Sequence, residues 1–142
     1  MIQIKTEIII KATDTKIWNI LCDFENYKNW NPFIVNSSGK AIEGRKITNS
    51  MKIQNKVQTF KPVLLVVDEN KKLEWLGSLF FKGLFDGQHY FEIEKIDKDY
   101  CKLTQGEHFR GILVKPILNK IRKDTLAGFV AMNEALKLEA EK

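Results

Sequence analysis

Residues 116–142 read PILNKIRKDTLAGFVAMNEALKLEAEK, and this run decides how the rest of the chain must be arranged. Pro116 suits the first turn of a helix, where its missing N–H costs nothing. From there to Lys142 only Gly128 weakens a helical reading. Leu118, Ile121, Thr125, Phe129, Met132 and Leu136 recur every three or four residues and share one continuous face. At about 1.5 Å per residue the helix is about 40 Å long. Isolated, it is marginal in water, so its apolar face needs a partner. That partner must come from residues 1–115.

Upstream of the helix the chain reads as strands. From residue 33 to 110 the pieces are 34–41, 45–54, 56–68, 72–80, 86–97 and 100–110. They are separated by turn-like Glu43-Gly44, Gln54-Asn55, Asp68-Glu69-Asn70-Lys71, the span from Gly83 to Gly87, and Asp97-Lys98-Asp99. Short turns between successive strands predict an antiparallel meander. At the start, residues 2–10 alternate, with Ile2, Ile4, Thr6, Ile8 and Ile10 on one face. Thr13 or Asp14 then caps a first short helix carrying Ile17, Trp18, Ile20, Leu21 and Phe24. A second runs over Glu25 to Trp30 and ends at Asn31-Pro32, because proline pushes its predecessor out of helical geometry. The order predicts an α+β fold. A curved, seven-stranded antiparallel sheet grips the long C-terminal helix, with two short helices after the first strand.

Composition narrows the function. The 142 residues suit one domain, 1–142, with 44% hydrophobic and 29% charged side chains arguing against disorder. The net charge of +5 is spread along the chain. Its densest cluster, Lys115, Lys120, Arg122 and Lys123, runs straight into Asp124 and later glutamates, so no nucleic-acid partner is expected. No apolar run approaches the roughly 20 residues of a membrane span. Lys5 and Glu7 spoil the N-terminus as a signal peptide, and two cysteines, Cys22 and Cys101, do not make a disulfide framework. A cytoplasmic location is the expectation.

Several runs resemble the START-like helix-grip superfamily (SRPBCC), and in particular bacterial polyketide cyclase/dehydrase-like proteins. They are Ile8 to Thr13 running into Ile17-Trp18-Asn19-Ile20-Leu21, then Asp23-Phe24-Glu25-Asn26-Tyr27-Lys28-Asn29-Trp30-Asn31-Pro32-Phe33. Gly87-Gln88-His89-Tyr90-Phe91, Glu107-His108-Phe109-Arg110-Gly111 and Gly128 to Lys137 follow. The resemblance implies a hydrophobic cavity bounded by the sheet, the long helix and both short helices. It also implies three possible roles: a carrier or sensor of a small hydrophobic or lipid-like molecule, a cyclase or dehydratase, or an Hsp90-activator-like interaction domain.

Alternation supplies the chemistry. If Phe91 and Ile93 face inward, so does His89; on the next strand Leu103, Gln105, Glu107 and Phe109 do too. Pairing residue 93 with 103 sets His89 opposite Glu107 in an apolar interior. Such a pair can be a satisfied structural contact at the sheet's rim, hold a ligand's polar end, or work as acid and base with Glu107 orienting the imidazole. The expected ligand-binding residues are Trp30, Phe33, Trp75, His89, Phe91, Gln105, Glu107, Phe129 and Met132. Gly77, beside Trp75, leaves room for a ligand. His89 and His108 fall on opposite faces, and no metal-ligand spacing occurs, so neither metal nor cofactor is expected. No G-x-S-x-G elbow or phosphate loop occurs. Cys22 and Cys101 read as structural. Phe81, Leu84 and Phe85 form an apolar run that either packs or marks an entry or partner surface.

Overall fold

The computed structural model describes residues 2–79 and 81–142. β1 (Ile2–Ile10) leads into α1 (Asp14–Cys22) and a 3₁₀ turn (Phe24–Asn29). Then come β2 (Ile34–Ser38), β3 (Thr48–Ile53), β4 (Lys56–Phe60), β5 (Val63–Asp68), β6 (Lys72–Ser78), β7 (Asp86–Lys95) and β8 (Cys101–Arg110). α2 (Val114–Ala140) closes the order. One antiparallel sheet runs β1-β8-β7-β6-β5, the other β2-β3-β4. This is the expected α+β architecture, with antiparallel strands and a long C-terminal helix.

The strand count differs. Eight strands in two sheets stand among the described residues where seven in one sheet were expected. The difference lies in segment 56–68, which breaks at Lys61-Pro62 into β4 and β5. Proline has no N–H for a ladder and a fixed φ, so the strand bends there. The two sheets still meet through a short strip. Lys46 bridges Val63. Ile47 N–H donates to Pro62 C=O at 2.9 Å, and Leu64 N–H to Arg45 C=O at 2.9 Å. Gln54 and Asn55, with φ of 53° and 61°, form the two-residue turn between β3 and β4. The strand expected over 72–80 ends at Ser78, and Phe80 lies outside the described residues.

Short-range chemistry sets the ends of the elements. Thr13 Oγ1 accepts from Lys16 N–H at 3.2 Å and caps α1. Asn31 Oδ1 accepts from the N–H groups of Phe33 and Ile34, both at 2.9 Å, and so turns the chain into β2. The register of the central strands is the one that alternation predicts: Ile93 faces Leu103, Phe91 faces Gln105, and His89 faces Glu107.

α2 packs across β1, β8, β3 and α1. It buries Leu118, Thr125, Phe129, Met132, Asn133 and Leu136, while Ile121 is half-buried. Gly128 is a notch in this face. A Cβ there would run into the Phe33 ring, so glycine lets Phe33 reach Phe129, 5.5 Å away between ring centres. Full burial of one such ring stabilises by about 1.5–3 kcal/mol.

Candidate functional site

The space between sheet and helix is not filled throughout. A cavity of about 290 Å³ remains at one end. Its floor is Trp75 and Gly77 of β6, Gly87 and His89 of β7, and Glu107 and Phe109 of β8. Its cover is the β3–β4 hairpin, through Asn49, Met51 and Phe60, and the first half of α2, through Ile117, Ile121 and Thr125. Exposed Gln54, Lys56 and Gln58 on its wall mark where it meets solvent. Gln54 Nε2 donates to Lys120 C=O at 3.0 Å and ties the hairpin tip to α2.

Two glycines open the floor. Gly77 and Gly87 are paired across β6 and β7, so neither strand places a side chain there. A Cβ on Gly87 would collide with Glu107 Oε2, whereas one on Gly77 would make only an ordinary contact with Pro62, at 3.6 Å. Gly87 is therefore what lets the carboxylate lie across β7.

His89 is 1% exposed. Its Nδ1 lies 3.2 Å from Glu107 Oε1 and its Nε2 lies 3.0 Å from Gln105 Oε1. The Trp75 indole stacks on the imidazole at 5.1 Å between ring centres and 12° between planes; Phe129 meets it edge-on at 4.9 Å. The polarity of these bonds follows from two backbone carbonyls, which can only accept. Thr6 Oγ1 donates to Gln105 C=O at 2.8 Å, so it accepts from Asn133 Nδ2, also at 2.8 Å. Asn133 Oδ1 then accepts from Gln105 Nε2 at 2.7 Å, which also reaches Phe129 C=O at 3.3 Å. Gln105 Oε1 is left to accept, so His89 Nε2 carries a proton. That turns Nδ1 toward Oε1 of the Glu107 carboxyl group. The wall thus carries a carboxyl group that can take a hydrogen bond from a ligand and exchange a proton with an imidazole of fixed orientation.

Of the nine residues expected to bind ligand, Trp75, His89 and Glu107 stand on the cavity wall. Gln105 lies behind His89, fully buried. Phe33, Phe91, Phe129 and Met132 are buried in the packed part of the interior, off the wall. Trp30 is half-buried, edge-on to Tyr27 at 5.3 Å, also off the wall. α1 and the 3₁₀ turn contribute no wall residue, so the boundary implied by the resemblance moves from the short helices to the β3–β4 hairpin. Asn133 and Thr6, which set the polarity of the pair, were not singled out from the sequence. Asn133 could have been found as the residue four beyond Phe129 on the same helix face.

The remaining candidates resolve simply. His108 stacks on Tyr90 at 5.3 Å, on the face of the sheet opposite His89. Burial pushes the Cys22 thiol up to about 12, with Glu69 adding to it; burial raises Cys101 as well. The apolar loop is split: Phe81 is exposed, Leu84 is half-buried, and Phe85 joins the wall against Phe109 at 5.6 Å. Asp86 Oδ1 holds this loop by accepting from Ser78 Oγ at 2.7 Å and Gly83 N–H at 3.1 Å.

Comparison with known proteins agrees with this fold. A family model described as polyketide cyclase / dehydrase and lipid transport matches residues 1–140. No functionally curated protein matches the chain. A START superfamily protein from Mycobacterium smegmatis superposes with a TM-score of 0.75 at 19% identity, covering 98% of this chain and 97% of that one. The Zhui aromatase/cyclase from a Streptomyces species gives 0.78 at 12% identity, covering 99% and 93%. Norcoclaurine synthase from Thalictrum flavum, solved with dopamine and hydroxybenzaldehyde, gives 0.72 at 14%, covering 96% and 84%. At these identities the likeness is one of fold.

Proposed function

Because the chain belongs to the polyketide cyclase / dehydrase and lipid transport family, we propose that it binds a small, largely apolar molecule in the cavity, with Glu107 and His89 taking the ligand's polar group. One observation carries this reading. A buried imidazole, fixed by hydrogen bonds at both nitrogens, sits beside a carboxyl group on the wall of an otherwise mainly apolar cavity. Polar groups of this kind orient a ligand, and apolar area supplies its affinity. The volume of about 290 Å³ stands near the lower end of the roughly 300–1,000 Å³ range of small-molecule sites, which favours a compact ligand over a long acyl chain. No helix among the described residues is long and apolar enough to cross a membrane.

A structural neighbour that holds dopamine and hydroxybenzaldehyde makes aromatic alcohols sensible first probes. The test compares 2-naphthol with 2-methylnaphthalene, which has a methyl group in place of the hydroxyl. Binding is followed by tryptophan fluorescence, with Trp75→Phe as control. 2-Naphthol binds more tightly, and Glu107→Gln removes roughly tenfold of that preference. Failure of both probes to bind, together with a clean ligand-free mass in native mass spectrometry, overturns the reading.

The cyclase or dehydratase alternative rests on the contact between His89 Nδ1 and Glu107 Oε1, 3.2 Å apart. It requires that a bound molecule present an exchangeable C–H or hydroxyl to Glu107. Molecules extracted from the purified protein supply the compounds to test for turnover, and loss of turnover without loss of binding in His89→Ala separates chemistry from carriage.

A further inference from the structure

The cavity wall carries a second pair of polar side chains. Asn49 and Thr125 are buried, at 1% and 2% exposure, and both stand on the wall. Asn49 comes from β3 in the cover, and Thr125 from α2. Asn49 Nδ2 and Thr125 Oγ1 have no hydrogen-bonding partner in the protein. Ser37 Oγ donates to Asn49 Oδ1 at 2.6 Å. The amide is thereby oriented, and its unused end is the donor. A threonine hydroxyl can likewise donate.

Buried polar groups in proteins are nearly always satisfied, and each exception calls for an explanation. A core position needing only volume would hold valine in place of Thr125, since the two side chains have similar shape. Two unpartnered donors on the wall of one cavity, one from the hairpin and one from α2, point instead to a hydrogen-bond acceptor on its occupant. The His89–Glu107 pair has the opposite character. Both nitrogens of His89 are engaged within the protein, and Glu107 presents oxygen.

We infer that Asn49 and Thr125 form a subsite for a carbonyl or ether oxygen, so that the natural ligand is a two-ended aromatic or alicyclic compound, with a hydroxyl for Glu107 and an acceptor oxygen for Asn49 and Thr125. The inference rests on the binding function proposed above and adds the class of compound: a hydroxy-ketone or its equivalent, in place of a hydrocarbon or a simple alcohol. It also gives the ligand a direction, because an acceptor-only group suits the donors of Asn49 and Thr125 and is unsuited to Glu107.

The test uses probes that carry an acceptor alone. 2-Acetylnaphthalene and 2-isopropenylnaphthalene share one shape, with the carbonyl oxygen of the first replaced by a CH₂ group in the second. Their affinity ratio is measured in the natural protein, in Thr125→Val and in Asn49→Asp, with thermal melts to verify folding. Thr125→Val lowers the ratio in favour of the ketone by roughly three- to tenfold. It leaves the 2-naphthol to 2-methylnaphthalene ratio unchanged and does not lower the melting temperature. Asn49→Asp keeps an acceptor for Ser37, turns the donor into a second acceptor, and lowers the ketone ratio further. An unchanged ketone ratio in a folded Thr125→Val protein overturns the subsite, even where 2-naphthol still binds through Glu107. If none of the four probes binds the natural protein, the binding function itself has failed, and that result is distinct.

Discussion

The two ends of the sheet–helix interior are built from the same elements and differ in what fills them. At the end covered by α1 and the 3₁₀ turn, Phe24, Tyr27, Phe33, Phe91, Phe129 and Met132 are almost completely buried. There Gly128 is a notch that another side chain occupies. At the end covered by the β3–β4 hairpin, the Glu107 carboxylate crosses Gly87, but the space over its partner Gly77 stays open. Gly128 and Gly77 thus have opposite consequences: one tightens packing, and the other leaves room. The teaching is that cavity position depends on which covering element brings large side chains, more than on the curvature of the sheet.

That contrast can be broken from the packed end. Phe129→Ala removes a ring that meets both Phe33 and His89. It costs about 3–5 kcal/mol in urea unfolding and extends the cavity toward the short helices. An effect below 1 kcal/mol would mean that the packed end is looser than its burial indicates. Next in size is a pair of glycine substitutions. Gly128→Ala gains helix propensity but drives a methyl group into the Phe33 ring, for a net loss of about 1–3 kcal/mol. Gly77→Ala meets only Pro62 at ordinary distance, so stability changes by no more than about 0.5 kcal/mol while probe affinity falls. Equal stability losses would erase the distinction between the two ends.

The smallest effect concerns pH. Cys22, at the end of α1, is raised to about 12 from an ordinary value of 9.0, chiefly by burial. The folded protein holds this proton where the unfolded chain loses it. Its contribution to stability is complete below pH 9 and is lost as pH rises from there toward 12. Buried Tyr27 titrates in the same direction, its hydroxyl donating to Leu21 C=O at 2.5 Å. Cys22→Ala therefore flattens part of the alkaline decline in melting temperature. Alkylation of Cys22 at pH 8 is also much slower in the folded protein than in urea; equal rates would show an ordinary thiol.

Much of this was legible from residue order. Ile93 and Leu103 set the inward faces of β7 and β8, and period-two alternation carried that assignment to His89 and Glu107. The helix stripe marked Thr125 and Phe129 as inward. The break at Pro62 was less visible, because Val63 to Val67 continue the strand-like composition of 56–60 on the other side. The cavity wall was harder still. Alternation in β3 and β4 says which residues share a face, but not that the hairpin folds over the sheet as a cover. Met51, Phe60 and Asn49 thus had no sequence signal tying them to His89. The large aromatic residues near Trp30-Asn31-Pro32-Phe33 drew the expected site toward the short helices, and size is what made them plugs instead of walls.

The strip at residues 44–47 and 62–64 also bears on inheritance. It joins the hairpin to the five-stranded sheet through a few backbone bonds, and backbone bonds do not depend on side-chain identity. Substitutions at exposed hairpin positions such as Gln54, Lys56 and Gln58 can therefore alter the wall without disturbing the strands that hold His89 and Glu107. The hairpin of thirteen residues, Thr48 to Phe60, is thus a cover whose exposed positions can change what the cavity recognises while its floor is kept.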